Sequence, residues 1–441
     1  MPIPYQRAIE ISRRLAGEDP VGKLHGILAS DPGEKAPFAP PIPAQGAATT
    51  EATRERVSFL EERVGPLPHL TGRAAPPDPA SLAGNIENHI GMASVPVGIV
   101  GPLRVNGLHA RGDFYAPLAT TEGALVASYA RGSRLLTLAG GVSSIATVQH
   151  VQRAPGFKFG TLSEAIQFAA WAASSFDVLK AVAATRTRHG ELLDLRLQFQ
   201  ANVVYLILDF HTGDAAGQNM VTLCTAAICE HIVTHTPVKP DYWVIESNMS
   251  GDKKATSLSF FETRGRHVTA EVTLPAELVE SRLRTTPRQM ADYWRMSFVG
   301  AAQTGSIGFS GHVANAIAAL FIACGQDVAC ISESSVAMLR MEVTAEGDLY
   351  AGLTLPSLMV GSVGGGTRLP TAQECLRILG CQGEGGAARL AEITAALALA
   401  GEVSIAGAIC SGEFAMAHAS LGRPGQSGSA TTNGQDDASR E

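Results

Sequence analysis

The sequence predicts a mixed α+β protein with a small helix-and-strand unit inserted into a larger body. Three observations carry that reading. Short apolar runs broken by Gly and Pro follow Leu82, as in Val95-Pro96-Val97-Gly98-Ile99-Val100-Gly101-Pro102-Leu103, and predict extended segments with tight turns. Residues 155–245 then alternate helical and strand patterns, which suggests helices packed on a sheet. Beyond them, strands near Ser257–Phe261 and His267–Leu274 lead into long helices.

In chain order, a short amphipathic helix is predicted around Tyr5–Leu15. A Pro- and Ala-rich linker from Lys35 to Thr50 follows, and then a helix over Thr50–Val64 with Arg and Glu at helical spacings. Small and apolar residues from Glu122 to Leu138 predict a packed helix. Within the inserted unit, Ser163–Leu179 reads as a helix, and Leu192–Gln200 and Val203–Phe210 as two strands. His189-Gly190 is a turn, Asn219–Thr234 a helix, and Trp243-Val244-Ile245 a last strand. The apolar stretch His312–Gly325 predicts a buried helix, and Val403–Ala417 has a helical pattern. The final twenty residues, rich in Gly, Ser, Thr, Asn and Asp, predict disorder.

Composition narrows the class. The 441 residues suffice for two or three domains, and 45% hydrophobic with 17% charged residues fits a compact, oligomer-prone enzyme. A net charge of −7 argues against nucleic-acid binding. The seven cysteines form no CxxC pair, which fits a reduced, cytoplasmic protein with no disulfide or metal expected. No signal peptide or lipidation signal is apparent, and Val313–Cys324 is about half the length of a membrane span, so no membrane association is expected.

Four polar groups stand out: Glu122 in Thr-Thr-Glu-Gly, Lys253 in Gly-Asp-Lys-Lys, Asp327 in Cys-Gly-Gln-Asp, and His418. A lysine ammonium in a dry site stabilises an oxyanion, although exposed Lys pairs usually mean nothing. Asp327 ends an apolar helix whose C-terminus is partly negative, so it holds a proton more tightly, above all beside a second carboxylate such as Glu122. His312 and Asn315 share one helix face, with core hydrogen bonding as the ordinary explanation. A lone histidine near a terminus is usually incidental, yet His418 on a mobile element suits a gated acid.

Two glycine-rich stretches suit phosphates. Gly213-Asp214-Ala215-Ala216-Gly217-Gln218-Asn219 follows a strand and opens a helix, where free backbone N–H groups attract anions. The alternative is that Asp214 merely caps that helix. Gly361-Ser362-Val363-Gly364-Gly365-Gly366-Thr367 offers a second cradle of N–H donors, or simply a flexible loop. Two such stretches favour a dinucleotide.

Over residues 80–420 the chain resembles the 3-hydroxy-3-methylglutaryl-CoA reductase family. The matching motifs are Glu87-Asn88-His89-Ile90-Gly91, Pro96-Val97-Gly98, Gly101-Pro102-Leu103, Thr120-Thr121-Glu122-Gly123, Gly213–Asn219, Asp252-Lys253-Lys254, Gly305-Ser306-Ile307-Gly308, Ala323-Cys324-Gly325-Gln326-Asp327 and Gly361–Thr367. Their forms look like the class shared by eukaryotes and archaea. The resemblance implies a large α/β domain around a central buried helix, with an inserted ferredoxin-like cofactor domain.

It divides the chain into an N-terminal helical segment (1–65), the large domain (66–154 and 246–400), the insertion (155–245), a C-terminal flap (401–421) and a tail (422–441). It implies two hydride transfers from NADPH or NADH to an acyl-CoA, through mevaldehyde to mevalonate, at a homodimer interface. Lys253 would stabilise the oxyanion, Glu122 would donate a proton with Asp327 tuning both, and His418 would protonate the CoA thiolate. Arg153, with Asp252 and Lys254 nearby, would hold the substrate carboxylate. Asn315 and Glu87 would also contact substrate, and Ser128, Arg131 and Arg134 would contact CoA. Asp214, Ala215, Ala216, Gly217, Gln218, Asn219, Gly364, Gly365 and Gly366 would bind the cofactor.

Some positions depart from the family pattern. Glu246 falls where a substrate-contacting serine is expected, which raises the alternative of another branched acyl-CoA. Ala173-Ser174-Ser175-Phe176-Asp177 lacks the arginine for the extra phosphate of NADPH, which leans the expectation to NADH. A non-catalytic CoA- or dinucleotide-binding protein is the remaining alternative.

Overall fold

A computed structural model describes residues 20–33 and 36–415. The expected helix at Tyr5–Leu15, His418 and the tail lie outside the described residues. The fold mixes ten strands, in one continuous network, with helices.

Strands β1 (Val97–Gly107) and β2 (Arg111–Ala119) form an antiparallel hairpin. β1 also runs parallel to the start of β3 (Val142–Arg153). β3 then pairs antiparallel with β8 (Gly265–Leu274), and β8 with β10 (Leu349–Leu358), whose other edge carries β9 (Met338–Val343).

The last three residues of β3 leave this sheet to pair with β6 (Val203–His211), so one strand links two sheets. The second sheet contains β4 (Gly156–Lys158), β5 (Glu191–Gln200), β6 and β7 (Tyr242–Val244). Its antiparallel order is β5-β6-β4-β7. Helices Leu162–Ser174, Phe176–Ala184 and Gln218–His235 connect these strands. The sequence expectation of one helix over Ser163–Leu179 is corrected here. Hydroxyls of Ser174 and Ser175 both donate to the Trp171 carbonyl at 2.8 Å, and the helix breaks at Ser175.

Helix Gly386–Cys410 lies at the centre of the larger body and packs on helix Leu125–Leu138 and on β8. Twenty of its twenty-five residues are buried. By length and composition it is the one described helix that could cross a membrane, but 83% of its most apolar stretch is covered by the rest of the protein. Helix Val313–Ala323 packs against it. Residues 401–410, expected to open a flap, are the last turns of this central helix and mostly buried, because Val403, Ala406 and Ala408 are part of the core.

Two further expectations change. Ser257–Phe260 is a 3-10 turn rather than a strand, with its donors satisfied locally, as in Glu262 N–H to Leu258 O at 2.8 Å. The described N-terminal residues do not stand apart. Helix Thr50–Val64 is where predicted, and Leu60 joins Tyr115 and Ile378 in a small second core. Buried Arg104 holds the preceding segment by donating to the Asp31, Ala36 and Pro37 carbonyls at 3.0–3.1 Å. All seven cysteines are free thiols.

Candidate active site

The first glycine-rich stretch follows β6 as a tightly built turn. Buried Arg266 and half-buried Gln149 both donate to the Gly213 carbonyl, at 2.7 and 2.5 Å. The Thr212 hydroxyl donates to the Ala215 carbonyl at 2.8 Å. Gly217, at φ 82°, opens helix Gln218–His235, whose first turn has no side-chain cap. Its leading N–H groups are therefore available to an anion.

Asp214 does not cap this helix. Its carboxylate accepts from the Gly385 and Ala387 N–H groups at 2.9 and 3.0 Å, capping the central helix 171 residues away. Each Asp214 carboxylate oxygen therefore already accepts one backbone N–H of the central helix.

The second glycine-rich stretch lies alongside the first. Ser362 N–H donates to the Asp214 carbonyl at 2.9 Å, and Ala215 and Val363 form a parallel bridge. A Cβ on Gly361 would lie 2.5 Å from the Ala216 nitrogen, so glycine is what permits this approach. Gly364 and Gly365 have positive φ and open space around them. Gly366 differs: its carbonyl is packed tightly against Gly325.

Gln218 connects this region to the polar groups. Its side-chain amide donates to Asp327 Oδ2 at 3.3 Å and to Cys330 Sγ at 2.8 Å, and its Oε1 accepts from Arg264 at 3.0 Å. Lys253 Nζ lies 2.9 Å from Asp327 Oδ2, with side chains 43% and 40% exposed. The hydrogen bond to Asp327 is the main cause that raises the Lys253 pKa, so the ammonium persists. Lys253 has a left-handed backbone, φ 57°, a strained conformation for a long side chain. Asp327 was expected beside a second carboxylate; its partner is a cation. Its other oxygen accepts the Ala329 N–H at 3.1 Å.

Beneath this pair lies a buried charge network. Arg153 Nη1 donates to Asp252 Oδ2 at 3.0 Å and to Glu246 Oε2 at 3.3 Å. Arg264 pairs with Asp252 at 2.7 Å and with Glu333 at 2.9 Å. Burial pushes the Glu333 pKa up to about 7, partly offset by Arg264. Lys254 Nζ donates to the Asp252 carbonyl at 3.0 Å. Arg264 and Glu333 escaped the sequence analysis, since nothing in Thr-Arg-Gly or Ser-Glu-Ser distinguishes them.

Glu122, itself exposed, leads inward to a buried histidine. Its Oε1 accepts from Asn315 Nδ2 at 3.4 Å, and that amide is 3.1 Å from His312 Nδ1. His312 is stacked on Tyr129 with centroids 4.7 Å apart, and burial lowers its pKa to about 4. Ser128 and Arg131 meet elsewhere, on Ser404 Oγ at 3.1 and 3.0 Å. Glu87 and Arg134 are exposed.

A mixed helix-and-sheet frame with an ammonium–carboxylate pair beside two abutting glycine-rich turns has the parts of a dinucleotide-dependent enzyme. The sequence profile for hydroxymethylglutaryl-coenzyme A reductase matches residues 52–423. The 3-hydroxy-3-methylglutaryl-coenzyme A reductase of Pyrococcus abyssi is 43% identical, over 84% of this chain and 93% of its own. That of Aeropyrum pernix is 45% identical, over 77% and 82%. The chain belongs to the hydroxymethylglutaryl-coenzyme A reductase family. A solved structure of the class II enzyme from Streptococcus pneumoniae, described as bound to NADPH, shares the fold. Its TM-score is 0.65 at 18% identity, covering 81% of this chain and 96% of the other.

Proposed function

We propose that the protein reduces 3-hydroxy-3-methylglutaryl-CoA to mevalonate and CoA, using two equivalents of a nicotinamide dinucleotide. The observation carrying this reading is the Lys253–Asp327 pair at 2.9 Å, joined through Gln218 to the first glycine-rich turn. The dinucleotide, when bound, supplies hydride to the thioester carbon and then to the aldehyde carbon. Lys253 holds the developing oxyanion by charge, and Asp327 positions the ammonium. Glu122 donates the proton that neutralises the alcohol oxygen, oriented by Asn315. His418 is assigned protonation of the leaving CoA thiolate. Arg153 and Lys254 bind the substrate carboxylate, with Asp252 holding both cations in place; Asn315 and Glu87 also contact substrate, and Ser128, Arg131 and Arg134 bind CoA.

Residues 155–245 are read as the ferredoxin-like cofactor domain. The support is a βαββαβ order with strands arranged β5-β6-β4-β7. The backbone of residues 214–219, with Gly364 and Gly365, would cradle the dinucleotide phosphates. A homodimer is the proposed assembly. Exposed Ile86, Ile90, Met92 and Val97 flank the Glu87 motif, and the site groups are open to solvent.

One observation favours a second reading, the same chemistry on another branched acyl-CoA. Arg153 already shares its charge between Asp252 and Glu246, which lessens its attraction for a substrate carboxylate. A single experiment addresses both readings: purified protein is assayed with 3-hydroxy-3-methylglutaryl-CoA and a panel of acyl-CoAs, with NADH and NADPH separately. Two equivalents oxidised per mevalonate are expected, with kcat lowered about 100-fold or more in Lys253→Ala. Oxidation with a different acyl-CoA alone would favour the second reading. No oxidation in folded protein would sink both.

A further inference from the structure

Glu333 has no part in the reaction as proposed above, yet it is the most enclosed acid of the network beneath the Lys253–Asp327 pair, at 1% exposed. It stands on the short helix Ile331–Ser334, which continues the 3-10 turn Val328–Cys330 capped by Asp327. One continuous turn of chain therefore carries both acids. Glu333 Oε1 accepts from Arg264 Nη1 at 2.9 Å, and the other terminal nitrogen of that guanidinium meets Asp252 at 2.7 Å and Gln218 Oε1 at 3.0 Å. The Lys253 backbone N–H also faces the Glu333 carboxylate and favours its charged form. Neighbouring N–H groups of the lysine loop are satisfied within it, Asp252 by Ser250 Oγ at 3.3 Å and Lys254 by the Gly251 carbonyl at 3.2 Å. Glu333 thus reaches the loop at Lys253 itself, where φ is 57° and a strained backbone needs support from outside.

A cavity of about 10 Å³, space for a single water, is lined by Ser250 and Gly251 at the start of this loop and by Gln152, Glu262, Arg264 and Glu333. Gln152 Oε1, Glu262 Oε2, Glu333 Oε2 and Arg264 Nε are buried, and none has a hydrogen-bond partner among the described residues. Burial pushes the Glu333 pKa up to about 7, and three acceptors against one donor around the cavity further favour a proton there. Arg264 and the Cys330 thiol favour the charged form, whereas Asp252 opposes it. Glu262 is paired with Arg196, and Arg153 lies one step further out, on Asp252.

We infer that Glu333 is a positioning residue for Lys253: its charged carboxylate clamps Arg264 and the Lys253 backbone, so that the ammonium stays on Asp327 and aimed at the reacting carbonyl oxygen. The inference rests on the reductase reading, in which Lys253 holds the oxyanion. Protonation of Glu333 takes the charge from its bond to Arg264 and weakens the acceptor facing the Lys253 N–H. The loosened loop then displaces the ammonium, and a misplacement of about 1 Å can slow a reaction about 100-fold. Above pH 7 Glu333 is charged and the lysine is held. As pH falls through 7 the carboxylate takes up a proton and kcat drops. Glu122 and His418 serve as proton donors, so their titration lowers kcat on the alkaline side instead.

The test measures kcat and KM for 3-hydroxy-3-methylglutaryl-CoA between about pH 5.5 and 8.5 in wild type, Glu333→Gln and Glu333→Asp. Wild type should lose kcat on an acid limb near pH 7. Glu333→Gln should lack that limb, with kcat about tenfold below wild type at pH 8 and KM within about twofold, since Arg153, Asp252 and Lys254 keep their contacts. Glu333→Asp should restore part of the rate and of the limb. An acid limb unchanged in Glu333→Gln, or a loss carried by KM alone, would overturn the inference. A second measurement needs no turnover: trace acetylation of Lys253 by acetic anhydride, relative to Lys254, read by fragment mass spectrometry on the full chain. The ratio should rise at least threefold in Glu333→Gln at pH 8, and likewise in wild type between pH 8 and 6, which keeps the test alive if the glutamine variant does not fold. An unchanged ratio would overturn the inference whatever the kinetics. A chain whose Lys253 labelling follows Glu333 but which never oxidises NADH or NADPH refutes the reductase reading alone.

Discussion

Two pairs of glutamate and aspartate side chains in this protein are chemically alike and do opposite work. Glu392 and Glu402 sit ten residues apart on the central helix, both fully enclosed. Glu402 accepts from Gly311 and His312 N–H groups at 2.9 and 2.5 Å, anchoring the start of helix Val313–Ala323. Glu392 accepts from His109, Ala110 and Ala146 N–H groups at 2.8, 2.7 and 3.2 Å, tying the β1–β2 hairpin to β3. Burial pushes both pKa values up to about 7, against the pull of those donors. Glu122 and Asp327, by contrast, are solvent-accessible, and their long-range partners are side chains: Asn315 for one, Lys253 and Gln218 for the other. A carboxylate saturated by backbone N–H groups in a dry interior is holding the fold together. One left open, with movable partners, has spare capacity to exchange a proton or face a ligand.

That contrast is sharpest in a paired substitution. Glu122→Gln should lower kcat about 100-fold or more while leaving urea stability within about 0.5 kcal/mol of wild type. Glu402→Ala should cost about 3 kcal/mol, because the Gly311 and His312 N–H groups lose their acceptor and a cavity opens in the core. If Glu402→Ala unfolds at the wild-type urea concentration, the distinction between the two kinds of carboxylate fails.

His312 tests the border between the regions, since it touches Glu402 through its backbone and Asn315 through its ring. Its folded pKa of about 4 lies below the unfolded value of 6.5. The unfolded chain therefore takes up a proton first. The stabilisation is complete above pH 6.5 and is lost as pH falls towards 4, by at most about 1.4 kcal/mol per pH unit. Urea midpoints of wild type and His312→Asn between pH 7 and 4.5 should converge as the pH drops. Parallel curves would mean that the ring is not held neutral.

The smallest effect is expected at Asp214, a cap rather than a buried anchor. Asp214→Ala should lower stability by about 1 kcal/mol, and Asp214→Asn much less, by thermal denaturation. Should Asp214→Asn instead lose dinucleotide affinity at unchanged stability, the carboxylate would be returned to the cofactor site.

The periodic elements were legible in the sequence. Helix Thr50–Val64, strands β5 and β6 and helix Gln218–His235 lie within a residue or two of their predicted limits, because period and turn residues are local properties. Ser257–Phe260 and the break at Ser175 were missed where short polar residues gave the backbone local hydrogen bonds instead. The glycine-rich motifs and Lys253 were also visible as sequence, but Asp214's partner was not, being 171 residues away. A usable signal for Glu392 and Glu402 was present and unread: two acids in an otherwise apolar helix must find buried partners.

By itself, then, the sequence determined the mixed fold class, the family and the identity of the reactive groups, all of which depend on residue type and local spacing. Tertiary structure decided which of those groups meet. It joined Lys253 to Asp327, set Glu122 on Asn315 and turned Asp214 to the central helix. Pairing energies between charges depend on distance and dielectric, and only the packed chain sets either one.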